Sequence, residues 1–207
     1  LKMLRDQRLS KARQGQWAFL EGEKHEIGGA YDDALMSWQD AEQGGSRLYR
    51  ALAAVARIET ELKLQRIKPR EAVERLEKLR FAWRGDDFEV DLLRRLGSLR
   101  LSLGDFGEGL RTYRQLLSTF PTSKIAPDIT KEMAATFERL FLGGGADSLP
   151  PITAIALFDE FQELTPSGEK GDEMIRKLAD RLVAVDLLDR AADLLNHQVD
   201  FRLQGVE

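Results

Sequence analysis

Cysteine is absent from the 207 residues, histidine occurs twice, asparagine once (Asn196) and proline six times. The missing cysteine excludes disulfides and thiolate metal sites, and leaves cytoplasm and periplasm equally open. No apolar run is long enough to cross a bilayer, and no signal peptide is visible. The chain opens on Leu1 and closes on Glu207 in what reads as the middle of an element. It is therefore expected to be a piece of a longer protein, with any targeting segment outside it. Abundant Arg, Ala, Leu and Gly beside scarce Lys and Asn suit a GC-rich bacterial genome.

The same scarcities empty most chemical motifs. His25-Glu26-Ile27-Gly28-Gly29 begins like a His-Glu-x-x-His zinc helix, but the second His is missing and two glycines would break the helix. Asp87, Glu89 and Asp91 alternate like a calcium loop, yet Leu92 stands where that loop needs Gly. Acids in a helix's first turn, favoured by the macrodipole, account for them. Gly143-Gly144-Gly145 is followed by no Gly-Lys-Ser/Thr, and the stretch from Gly168 to Gly171 offers only Lys170. Two histidines, both beside turn residues, give no basis for a nucleophilic triad. No enzyme activity is expected, and no catalytic residue, cofactor or metal ligand is assigned.

What remains is a chain rich in Leu, Ala, Arg and Glu, 43% hydrophobic and 32% charged, with 17 Gly falling largely between helical segments. That composition favours helix almost throughout. Leu92, Leu93, Leu96, Leu99 and Leu103 form a stripe of helical period, as do Val73, Leu76 and Leu79, and Val183, Leu187 and Leu188. Net charge is −4 but uneven: residues 44–100 carry +5 and residues 147–207 carry −7. This suits either electrostatic selection of partners or a merely solvated surface. Lys2, Arg5, Arg8, Lys11 and Arg13 lie on a leading helix, read as a cap of the fold rather than a binding arm.

A pattern recurs. Its clearest copy, in 93–121, carries Leu93, Leu96, Gly97, Gly104-Asp105-Phe106, Gly109, Tyr113, Leu116 and Pro121. These residues resemble the tetratricopeptide repeat, with its W-x₂-L-G-x₂-Y…A-x₃-F…P signature. Leu93 replaces the Trp, Arg100 the first Tyr, Gly109 the Ala and Tyr113 the Phe. The small residue lets two helices approach at their crossing, and the aromatic one turn on fills the groove beside it. Gly at the turn supplies φ > 0, Asp105 can cap the next helix, and Pro121 stops it.

Weaker copies centre on Ala34 with Trp38 and Ala41, on Ala72 with Leu76 and Leu79, on Ala154 with Phe158 and Phe161, and on Ala191 with Leu195. Trp17, Leu20 and Gly22 mark the first helix of the first copy, with a slip of one residue at Gly28-Gly29. Pro69 opens a helix in the second copy. Trp83 and Phe88, flanking a turn, either stand exposed for a partner or pack beneath the loop, and packing is the reading preferred. The resemblance implies an all-α fold: one α-solenoid of antiparallel helix pairs wound as a right-handed superhelix. About five repeats are expected, over roughly 14–44, 46–84, 88–122, 125–167 and 171–203.

By the same resemblance, first helices line a concave groove that takes a protein or peptide. The candidates are Arg50 and Arg57, then Arg94, Ser98 and Leu101, then Arg176, Asp180 and Val183. Arginine's planar fork suits carboxylates and phosphates. A chaperone-tail clamp built on groove Asn is excluded by the lone Asn196. The function expected is a protein-interaction scaffold. The alternatives are a substrate-positioning or regulatory arm of a larger enzyme and a self-association module. No nucleic-acid partner and no membrane segment are expected. The apolar end formed by Leu194, Leu195, Val199, Phe201, Leu203 and Val206 suggests a homodimer through that end.

Overall fold

The described residues form helices joined by turns, most of them short. The structure, a computed structural model, describes residues 10–204, with the side chains of Asp86 and of 197–204 set aside. The helices are α1 (Lys11–Ile27), α2 (Tyr31–Glu42), α3 (Arg47–Lys63), α4 (Pro69–Leu79), α5 (Asp86–Ser102), α6 (Phe106–Thr119), α7 (Ala126–Phe141), α8 (Pro151–Glu160), α9 (Glu169–Ala184) and α10 (Leu188–Gln204). Short 3₁₀ turns at Gly145–Ser148 and Gln162–Leu164 interrupt the later part. No strand occurs among the described residues, and no described helix is long and apolar enough to cross a membrane. Lys2, Arg5, Arg8 and Val206 lie outside the described residues, as do the side chains of His197, Val199, Phe201 and Leu203.

Contacts gather the chain into two compact units, Leu1–Ser123 and Lys124–Glu207. In unit 1, α1 packs on α2, α3 on α4 and α5 on α6, while α2 on α3 and α4 on α5 join one pair to the next. One spacing governs all three pairs. Gly22 faces Trp38, and a Cβ on Gly22 would sit 2.3 Å from the indole Nε1. Gly97 faces Tyr113, where a Cβ would sit 2.3 Å from Cε1. Both rings are fully buried, and each stands sixteen residues after its glycine. At the same spacing in the middle pair stand Thr60 and Leu76, again both buried. There the first-helix residue is larger than glycine and the second-helix one smaller than an aromatic.

This register holds without the slip expected at Gly28-Gly29. Twelve residues separate Gly22 from Ala34, as they separate Gly97 from Gly109. The irregularity lies earlier: Trp17 and Leu20 are 46% and 52% exposed, while Ala18 and Phe19 pack on the core around Trp38. An exposed Trp and Leu in this helix are therefore not its signature residues.

The turns repeat too. Behind α1, the Gly29 N–H donates to the Glu26 carbonyl and the Ala30 N–H to that of His25. The same pair of bonds closes α3 at Gln65 and Arg66, α5 at Gly104 and Asp105, and α9 at Asp186 and Leu187. The residue at the bend has positive φ each time: 74° at Gly29, 57° at Gln65, 80° at Gly104 and 61° at Asp186. Glycine is the easy solution, but the motif tolerates Gln and Asp in the left-handed region at a cost of about 1 kcal/mol.

Asp105 occupies the cap position of α6 without a side-chain capping bond, and instead lies 3.7 Å from Arg70. Pro69 opens α4, and α6 ends just before Pro121. Trp83 and Phe88 pack on the core of α3, α4 and α5. Arg100, at the place of a signature Tyr, is a polar clamp: it donates to Glu77 Oε2 at 2.9 Å on α4 and to Thr112 Oγ1 at 2.8 Å on α6.

In unit 2, α9 packs on α7, α8 and α10. Its core holds three phenylalanines, with ring centroids 4.7 Å apart for Phe137–Phe141, 5.6 Å for Phe137–Phe158 and 5.3 Å for Phe141–Phe158. The 3₁₀ turn after Gly144, itself left-handed, lengthens the link from α7 to α8.

Candidate functional site

Three first helices of unit 1 turn helical stripes toward one open groove of about 690 Å³. Helix α1 supplies Phe19, Glu23 and Glu26, and α3 supplies Leu48, Leu52, Val55, Ala56 and Glu59. Helix α5 supplies Asp87, Phe88, Asp91, Leu92 and Arg95. Each set follows the i, i+3/i+4 spacing that places side chains on one face. Phe19 leans on Tyr49 with centroids 5.7 Å apart, which ties α1 to α3 at one end. Phe88, Leu92 and Val55 also belong to the core, so the apolar floor is the outer surface of packed residues.

Charge around this floor is unequal. Five carboxylates line it against one guanidinium. Arg95 pairs with Glu59 and donates from Nε to Asp91 Oδ2 at 2.6 Å. The other Asp91 oxygen accepts from Arg94 at 2.9 Å. Glu26 accepts the Thr60 hydroxyl at 3.1 Å, which holds it toward α3. Glu23, Glu26 and Asp87 make no ion pair with a described residue.

Burial raises the Glu23 pKa above the usual carboxylate range, Glu26 raises it further, and Arg95 opposes both. Burial lowers that of Arg95, against the pull of Glu23 and Glu26. For Glu23 the folded state holds its proton more tightly than the unfolded state. Its favourable contribution is complete below the ordinary carboxylate range and is lost as pH rises through the raised value. Glu23→Gln should therefore stabilise the protein at pH 7, by less than about 1 kcal/mol because solvent still screens a half-buried carboxylate. The gain should vanish near the ordinary carboxylate pKa of about 4. Urea denaturation at both pH values measures this, and an equal effect at the two would contradict it.

The residues expected from the sequence lie elsewhere. Arg50 is exposed and lines a smaller cleft of about 300 Å³ with Glu42, Arg47 and Ala82. Arg57 grips Glu42 with two bonds, 2.6 and 3.0 Å, and lies 3.6 Å from Glu61. Arg94 pairs with Asp91, Ser98 is exposed one turn on, and Leu101 is buried where a Cβ on Gly109 would strike it. Burial removes Leu101 from any open surface. In unit 2, Arg176, Asp180 and Val183 do share an exposed face of α9. None of these lines the large groove.

A single register transferred from copy to copy does not reach the groove, because its flanks use different offsets from the crossing residue. Helix α1 contributes residues on both sides of Gly22 in sequence, whereas α5 contributes only residues before Gly97. The Asp87 and Asp91 alternation was a visible signal, and it marks the groove's acidic side. The three-His/Cys/Asp/Glu grouping a metal would need is absent among the described residues.

No protein-family model and no curated protein matches the chain. Solved structures do. A Podosopora anserina putative kinesin light chain with nearly identical TPR-like repeats is 13% identical over 97% of this chain and 100% of its own, with a TM-score of 0.50. A variant of the same protein gives 13%, 96%, 99% and 0.50. The Arabidopsis OM64 TPR domain is 19% identical over 60% of this chain and 97% of its own, with a TM-score of 0.47. The first two share the helix-pair fold along nearly the whole chain.

Proposed function

We propose that this chain, an all-α solenoid of tetratricopeptide type, is a non-catalytic protein-interaction scaffold whose unit 1 groove holds a segment of a partner. The five-repeat division read from the sequence belongs to the same proposal. The observation that carries it is the meeting of three first-helix faces on one apolar-floored groove. Its volume lies in the range of ligand-binding clefts. Half-buried Leu48 and Leu52 leave part of that floor in water, where a partner's apolar side chains would gain by covering it.

Site-specific photo-crosslinking tests the groove. A crosslinking side chain at Leu52 should capture a partner segment about tenfold more efficiently than one at Met36, which is exposed on α2. Equal capture from the two positions would overturn the groove as the partner surface.

A further inference from the structure

We infer that the segment held in the groove is cationic and amphipathic, with apolar side chains on the floor and a lysine or arginine against the Glu23–Glu26 pair. The inference rests on the groove being the partner surface. Its ground is a local reversal of charge. Residues 44–100 carry +5, yet the groove cut largely from them is lined by five acids and one arginine. The basic residues are used elsewhere, in pairs such as Arg57–Glu42, Arg66–Asp32, Arg75–Glu61 and Arg100–Glu77.

Within the groove the imbalance is concentrated. Arg95 is already shared by Glu59 and Asp91, and Arg94 takes the second oxygen of Asp91. That leaves Glu23 and Glu26, one turn apart on α1, and Asp87 across the floor on α5. Like charges at this helical spacing repel. The Thr60 hydroxyl nevertheless fixes Glu26 beside Glu23. Arg95 acts on this pair and Lys63 on Glu26, but Arg95 is bonded to Glu59 and Asp91, so the pair's charge is offset only in part. A partner's lysine or arginine completes the offset, and its aliphatic stem covers apolar surface on the way. An acidic segment would meet repulsion from the same wall. Three adjacent first helices span about 20 Å, which a helix of about 14 residues crosses.

The test uses the full chain and three fluorescent helical peptides of equal length: leucine with lysine, leucine with glutamate, and serine with lysine. Anisotropy should give the leucine–lysine peptide at least about tenfold tighter binding than either other peptide, weakening with salt. Glu23→Gln with Glu26→Gln should weaken it about tenfold, whereas Asp33→Asn with Asp40→Asn on exposed α2 should not. Leu52→Trp, which fills the floor without changing charge, should abolish it.

Equal losses from the two acid pairs would mean general attraction to an acidic protein and would overturn the proposal. So would serine–lysine binding as tightly as leucine–lysine. If leucine–glutamate bound as well, and Leu52→Trp blocked both, the cationic assignment would fall while the groove stood. If Leu52→Trp changed nothing for any peptide, the groove itself would fall.

Discussion

Gly97→Thr is expected to cost about 3 kcal/mol or more, the upper part of the range for overpacking. The new Cβ would lie 2.3 Å from Tyr113 Cε1 and 2.5 Å from Cδ1, and the ring is fully buried with nowhere to retreat. The middle helix pair carries another combination at the same spacing. There Thr60 stands where Gly97 does, and Leu76 where Tyr113 does. Tyr113→Leu alone should leave a cavity costing about 2–4 kcal/mol. Combined, the two should cost less than their sum by about 1–3 kcal/mol, because each makes room for the other. Urea denaturation of the four proteins closes the cycle. Additive losses would mean that the close approach of α5 and α6 does not limit packing.

Phe137→Ala should remove about 3–5 kcal/mol from unit 2. Its ring is fully buried and meets both Phe141 and Phe158, so truncation strips one side from each. Phe158 reaches α8 and Phe141 stays on α7, so the loss should loosen the seam between these helices. Hydrogen exchange should show lost protection at amides of residues 126–160. Phe137→Leu, which keeps most of the volume, should recover much of the stability. Equal losses from the two variants would place the effect outside the aromatic cluster.

The helices were legible in the sequence because packing of helix on helix leaves a residue-level trace. Gly97, Gly109 and Tyr113 stand at fixed intervals since two backbones approach there, and Gly22, Ala34 and Trp38 repeat the intervals. Thr60 was illegible as a third instance. Its identity departs from the signature, and only its burial, sixteen residues before buried Leu76, reveals the equivalence. Trp17 misled for the opposite reason, having the right residue type on the wrong side of its helix. Left-handed Gln65 and Asp186 left no sequence signal, because the bonds around the bend hold them there. The groove was less legible than the frame. Phe19, Glu23 and Glu26 become neighbours of Asp87 and Arg95 only after α1, α3 and α5 are placed side by side. Arginines that seemed available for a ligand are instead occupied, as Arg57 is by Glu42.

The crossing position of each first helix sits directly beside a polar residue that is exposed or half-buried. Gly22 adjoins Glu23, Thr60 adjoins Glu59, and Gly97 adjoins Ser98. In α1 and α5 a ring lodged against the glycine fixes the helix's rotation about its axis, and so aims its neighbour. Inheritance can then act on the two positions separately. Substitutions at the crossing cost stability, while those one step away change surface charge at small cost. One skeleton can therefore carry different charge on its first-helix faces without repacking its crossings.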